Sequence, residues 1–138
     1  MENTYQHTID AKGRLFIPVR LREELGQTFY VTLSMEKCLS AYSTEGWERF
    51  KDKQREMSQV NQKLMRPLFA MASKCDLDGQ GRINLPQALL DFAGLKKNVA
   101  IVGVGERVEF WDSETYAEIA AEEIKPENIA AVFEKLGF

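Results

Sequence analysis

An α+β fold, made of two β-β-α-β-β-α modules that share one β-barrel with helices at its periphery, is predicted by three observations. Asp10-Ala11-Lys12-Gly13-Arg14-Leu15-Phe16-Ile17-Pro18 recurs as Asp78-Gly79-Gln80-Gly81-Arg82-Ile83-Asn84-Leu85-Pro86, the pattern D-x-x-G-R-[LI]-x-[IL]-P at a constant offset of 68 residues. The match continues downstream: Tyr42 corresponds to Trp111 and Trp47 to Tyr116 at an offset of 69, one residue having been gained in Gly103-Val104-Gly105-Glu106. Hairpins of this size are not stable alone, so the two copies have to fold together, related by a pseudo-two-fold axis if their strands interleave. The expected division is residues 1–72, a repeat with a helical spacer, and residues 73–138, a repeat with C-terminal helices.

Each element follows from local chemistry. Tyr5-Gln6-His7-Thr8-Ile9 alternates in character, which puts Tyr5, His7 and Ile9 on one face of a strand and makes His7 a half-buried strand residue. Asp10-Ala11-Lys12-Gly13 reads as a tight turn, because an Asp carboxylate accepts from the backbone two residues on and Gly supplies the positive φ that closes the hairpin. In the next strand Leu15 and Ile17 point one way, Arg14 and Phe16 the other. Pro18 suits the entrance to a short helix over Val19 to Leu25 that Gly26 stops. In the second copy Pro86 starts the helix, Leu89, Leu90 and Phe92 are expected to pack, and Gly94 stops it.

Phe29 to Leu33 and Leu39 to Tyr42 then read as strands around Met35-Glu36-Lys37, matched by Val99 to Val102 and Val108 to Trp111. A helix follows each hairpin, with Ser43 or Thr44 as N-cap in the first copy and Asp112 or Ser113 in the second. The first helical region is expected to run from about Trp47 to Ala72, kinked or broken at Pro67. Lys125-Pro126 divides the last into Tyr116 to Ile124 and Glu127 to Leu136. The apolar faces of these helices are free to pack on the barrel or on a neighbouring subunit.

The chain has 138 residues, 44% hydrophobic and 28% charged, enough for one core or two small ones sharing an interface. No apolar run approaches the roughly 18 residues of a membrane span, and Met1-Glu2-Asn3-Thr4 lacks the basic and apolar regions of a secretory signal. A cytoplasmic protein is expected. Cys38 and Cys75 are far apart and His7 is the single histidine, so the cysteines read as structural thiols and no metal site is expected.

Charge is unevenly placed. Residues 1–74 carry 12 Lys and Arg against 9 Asp and Glu, residues 75–138 carry 6 against 12, and the whole chain is −3. Such a division fits a locally basic binding face or complementary surfaces between subunits. Catalysis finds little support: Asp10, Asp78 and His7 are the acid-base groups a small hydrolase would use, but there is no second histidine and no G-x-S-x-G elbow. Gly103-Val104-Gly105 is no dinucleotide fingerprint, since Val108 replaces the third glycine and a strand follows. A chain with no catalytic residues, no cofactor and no small-molecule substrate is expected.

With its two D-x-x-G-R-[LI]-x-[IL]-P motifs, each followed by a Pro-led helix, a hairpin ending in an aromatic and a helical region, the chain resembles the MraZ transcriptional regulators over nearly its whole length. Tyr5 to Leu15 and Gly103-Val104-Gly105 through Glu109-Phe110-Trp111-Asp112 are especially similar to that family. The resemblance implies a swapped-hairpin, AbrB-like barrel, ring homo-oligomers, nucleoid association, and binding to short tandem repeats in promoter DNA of a bacterial division and cell-wall gene cluster. Gly79 and Leu90 stand where the family's second motif carries Lys and Arg.

Lys12, Arg14, Arg20 and Arg22 accordingly make the first motif the expected DNA reader, with Arg82 the one basic counterpart in the second. Arginine's planar fork grips a guanine edge or clamps a phosphate, whereas Lys12 suits a phosphate as a point charge. The competing role for Arg14 is an ion pair with Asp10 or another barrel carboxylate that fixes the turn. Asp10, Gly13, Pro18, Asp78, Gly81 and Pro86 are read as structural turn residues. Arg49 to Glu56 mixes signs at helical spacing and reads as a solvated face or subunit contact. The alternative function is an oligomeric interaction scaffold without DNA binding, its basic turns meeting acidic surfaces of neighbours.

Overall fold

The computed structural model describes residues 1–138. The first half runs through β1 (Thr4–Thr8), β2 (Arg14–Phe16), α1 (Val19–Leu25), β3 (Thr28–Leu33) and β4 (Leu39–Ser43) into α2 (Thr44–Arg55), α3 (Gln59–Leu64) and α4 (Arg66–Ala70). The second half repeats the order with β5 (Ser73–Asp76), β6 (Arg82–Asn84), α5 (Gln87–Ala93), β7 (Asn98–Gly103) and β8 (Val108–Asp112), then α6 (Ser113–Glu123) and α7 (Pro126–Lys135). The class is α+β, with seven helices around antiparallel strands.

Six strands form one sheet in the order β1-β7-β8-β4-β3-β5, and β2 pairs with β6 in a separate ribbon. Exchanging each strand for its counterpart in the other half returns the same order read from the opposite edge. The expected closed barrel is not what the hydrogen bonds make: the sheet is open, with β1 and β5 as its edges. The short β2 and β6 turn away to pair with each other, and this leaves β1 and β5 with one partner strand each.

Two faces of the sheet carry different layers. On one, Phe29, Val31, Leu39, Ala41, Ile101 and Phe110 meet Leu15 and Ile83 of the ribbon and Leu21, Leu25, Leu89 and Ala93 of the short helices in the main core. On the other, Cys38, Ala100, Val102 and Trp111 pack with Tyr116 and Ile119 of α6, while Trp47 of α2 stacks on Tyr30 at 5.5 Å. β3, β4, β7 and β8 are therefore largely buried on both sides, because both sides are covered. Glu109, 6% exposed, is satisfied there by Trp111 Nε1 and by Arg107, each donating over 3.0 Å.

Local expectations about the ends of elements are met where a cap sets them. Ser43 accepts from the Gly46 amide and Asp112 from the Thr115 amide, starting α2 and α6. The helical region expected from about Trp47 to Ala72, kinked or broken at Pro67, is three short helices, with a further break before Ser58. Ser58 accepts from the Asn61 amide and so begins a new helix, and Pro67 sits in the first turn of α4, where its missing N–H costs nothing, rather than inside a helix. Phe92 is a second correction: it is 38% exposed, while Leu89 and Leu90 of the same helix are buried. No helix is long and apolar enough to cross a membrane.

Gly13 and Gly81 join the two halves. They adopt φ +79° and +76°, and their carbonyls accept from the Leu85 and Ile17 amides of the opposite copy, each over 2.9 Å. A Cβ on Gly13 would stand 2.9 Å from the Leu85 carbonyl oxygen, a backbone atom held by the ribbon. Gly13→Ala combines that clash with a left-handed conformation and lowers stability by about 1–3 kcal/mol. Gly79→Ala, with nothing within 4 Å of its Cβ, is the control, and urea unfolding of both variants compares them.

Candidate nucleic-acid interface

The two Asp-Arg turns have the same geometry. Asp10 Oδ1 accepts from the Lys12 and Arg14 amides at 3.0 and 2.9 Å, and its Oδ2 from Arg14 Nε at 2.7 Å. Asp78 Oδ1 accepts from the Gln80 and Arg82 amides at 2.8 and 2.9 Å, and its Oδ2 from Arg82 Nε at 3.0 Å. Each carboxylate thus closes its turn and orients an arginine through Nε, leaving the terminal nitrogens of the guanidinium outside that contact. A fork held this way loses less side-chain freedom when it grips a ligand.

Hydrogen bonds from backbone amides, foremost that of Arg14, hold the Asp10 carboxyl below its ordinary range, with the Arg14 guanidinium adding to them. The Arg82 amide does the same for Asp78. A depressed folded-state pKa stabilises the fold above the unfolded value, and the contribution is lost as pH falls through the folded one. The stability advantage of wild type over an Asp10→Asn/Asp78→Asn variant is therefore expected at pH 7 and shrinks below about pH 4. Urea midpoints at pH 7 and pH 3 check it.

The β2–β6 ribbon brings the two turns to one surface. Arg14 lies opposite Asn84, Leu15 opposite Ile83 and Phe16 opposite Arg82. Leu15 and Ile83 are buried, so Arg14, Phe16, Arg82 and Asn84 share the outward face, the arginines diagonal to each other. Phe16 stacks on His7 with ring centroids 5.0 Å apart, and Arg22 holds its guanidinium carbon 5.1 Å from the Phe16 centroid. The tip of Arg22 lies against Gly81 of the other copy, and its Nε is buried without a partner. Leu90, the counterpart of Arg22 in the second copy, approaches Gly13 in the same way.

The remaining expected contacts divide. Lys12 is exposed at the tip of the first turn. Arg20 is exposed but lines a separate cleft with Glu2, Glu23 and Glu24, and is not brought to the ribbon. Pro18 and Pro86 precede α1 and α5 as expected. Sequence reasoning missed Phe16 as the platform for Arg22 and Asn84 as the neighbour of Arg14. The signal for both was their outward position in the alternation of β2 and β6.

No three His, Cys, Asp or Glu side chains lie together as a metal site. Both cysteines are free and buried; burial above all, with the Glu109 charge adding to it, pushes the Cys38 thiol up to about 12.

A family model described as "MraZ protein, putative antitoxin-like" matches residues 1–65 and again 68–136. The chain belongs to the MraZ family. A protein of Acetivibrio thermocellus named "Transcriptional regulator MraZ" is 41% identical over 137 residues, covering 96% of each chain. Proteins of the same name from Carboxydothermus hydrogenoformans and Symbiobacterium thermophilum are 44% and 42% identical, covering 87% and 97% of this chain and 90% and 98% of their own. The two MraZ matches fall on the two halves that carry the paired turns.

Proposed function

We propose that this chain is a sequence-specific, DNA-binding transcriptional regulator whose partner is double-stranded promoter DNA. It acts as a ring homo-oligomer on tandem repeats upstream of the division and cell-wall gene cluster, in the cytoplasm and associated with the nucleoid. It is not an enzyme and takes no cofactor. Its two halves, residues 1–72 and 73–138, are repeats that exchange hairpins across a pseudo-two-fold axis in a swapped-hairpin, AbrB-like body.

The observation that carries this reading is the common outward face of β2 and β6, on which both Asp-oriented arginines stand. With Nε engaged by its aspartate, each guanidinium offers its terminal N–H groups to a guanine edge or a phosphate. Lys12 leaves the first turn with one net positive charge, whereas Arg82 is balanced by Asp78 and has exposed Asp76 nearby in sequence. Lys12 and Arg14 are therefore the main contacts, Arg82 the weaker one. Arg22 supports the face from over Phe16, and Arg20 serves as a peripheral phosphate contact.

An acidic chain with few contacts per subunit binds DNA weakly. A ring that matches the spacing of repeated boxes makes later contacts intramolecular, worth about 10²- to 10⁴-fold. The resulting mechanism is occlusion, with several turns gripping successive boxes and altering polymerase access. Mobility-shift titration of the wild type on the DNA upstream of its own gene, at several salt concentrations, tests it. Tighter binding to repeat-bearing than to scrambled DNA is expected, with affinity falling as salt rises. Equal binding to both overturns the regulator reading, and no binding to either favours the scaffold.

A further inference from the structure

The two turns on the outward face of the ribbon share their aspartates and arginines and differ in what stands beside them. Arg14 is directly opposite Asn84, and Arg82 is directly opposite Phe16. Asn84 and Phe16 correspond in the repeat, each two residues beyond its arginine. Phe16 is already engaged: it stacks on His7 and carries the Arg22 guanidinium over its ring. Asn84 is exposed. The carboxylates of Asp10 and Asp78 take up the amides of both turns, and the Asn84 side chain makes no hydrogen bond within the chain. Its Oδ1 leans over the first turn, 3.3 Å from the point that a Cβ on Gly13 would occupy. The free amide therefore stands with Lys12 and Arg14.

Local structure gives no reason for this residue. Asparagine is depleted in strands and is favoured at turns and helix caps, yet Asn84 lies inside the β6 ladder and caps nothing. We infer that Asn84 is a second base-reading residue, which takes an adenine beside the base that Arg14 takes.

A carboxamide presents one donor and one acceptor side by side, which matches the N6 amino group and N7 of adenine in the major groove. A guanidinium, donor only, matches O6 and N7 of guanine. Directly opposed residues of a ribbon stand about 5 Å apart, close enough to the rise of about 3.4 Å between stacked bases for Arg14 and Asn84 to reach neighbouring base pairs. Arg82 has no such companion, because a ring in use occupies the corresponding place. The face is thus polar along its length, with Arg14 and Asn84 at one end and Arg82 at the other, so the chain lies on its DNA in one direction. The inference rests on the DNA-binding reading above and adds to it a base and a polarity.

Mobility shifts of the full chain test this on the repeat-bearing DNA upstream of its own gene, with one A·T pair replaced by G·C at the same place in every repeat, pair by pair. Wild type is expected to lose about 5- to 150-fold at one A·T pair, and to lose affinity again when 7-deazaadenine removes N7 there. Asn84→Ala binds the natural and the substituted DNA alike at that pair and keeps the wild-type preference at every G·C pair. Its circular dichroism and urea midpoint stay those of wild type, because the side chain supports nothing in the fold. Arg14→Ala does the opposite, losing preference at a neighbouring G·C pair. Asn84→Ala with wild-type discrimination at every A·T pair overturns the assignment, as does wild type that is indifferent to all of them. A loss spread evenly over natural and scrambled DNA also overturns it, since that is the mark of a phosphate contact. Wild type with no preference for repeat-bearing over scrambled DNA overturns the DNA reading itself.

Discussion

Arg14→Ala loses about ten- to a hundredfold in affinity for repeat-bearing promoter DNA while the chain stays folded and assembled. The factor corresponds to the roughly 1–3 kcal/mol of discrimination carried by a good arginine contact to a base. Folding survives because Asp10 keeps the Lys12 and Arg14 amides, which the substitution does not remove. Two further variants sort the contacts. Lys12→Ala is expected to weaken repeat-bearing and scrambled DNA alike and to flatten the salt dependence, as loss of a phosphate contact does. Arg82→Ala loses less than Arg14→Ala. Mobility shifts at several salt concentrations, with mass and circular dichroism as controls, decide these outcomes. Unchanged binding by an assembled Arg14→Ala chain removes the first turn from the interface.

Phe110→Ala is expected to cost about 3–5 kcal/mol, the range for emptying a buried aromatic site. Phe110 is fully buried at the centre of the sheet, paired with Ile101 on one side and Leu39 on the other, so it joins strands from both halves. The surrounding β7, β8 and β4 are fixed by their ladders and cannot collapse into the space. A loss of this size consumes much of the 5–15 kcal/mol typical of a folded domain. Urea unfolding at one fixed protein concentration measures it, since any self-association would add to apparent stability. Phe92→Ala is the internal comparison: Phe92 is partly in water already, and its loss is expected to stay below about 1 kcal/mol.

The contrast between Phe110 and Phe92 also marks how far local reading goes. Phe110 stands in a strand whose buried character was visible in its own neighbours. Phe92 follows two buried leucines on α5, and an apolar residue next to a buried face gives no local sign of which way it points. Cap chemistry behaves similarly. The caps of α2 and α6 were readable to within one residue, as Ser43 or Thr44 and Asp112 or Ser113, because each pair precedes a clear helix, while Ser58 was hidden inside a stretch whose apolar spacing continues across the break. The candidate interface divides along the same line. Arg14 and Lys12 were legible from the turn itself, but the acidic company of Arg20 and the seat of Arg22 over Phe16 depend on residues brought in from elsewhere.

What the sequence by itself determined is the repeated D-x-x-G-R motif, the Asp-closed turns with their positive-φ glycines, most of the strands and short helices, and the family. These rest on interactions within a few residues, where side-chain chemistry and backbone geometry are decided together. Tertiary structure alone decided that β2 pairs with β6, that the main sheet stays open, that both arginines share one face and that α7 is left uncovered. The physical reason is that a period of two tells a strand which face to bury but not which strand to pair with. That choice is made by long-range packing of both halves at once, here around Gly13, whose bare Cα leaves room for the Leu85 carbonyl of the other half.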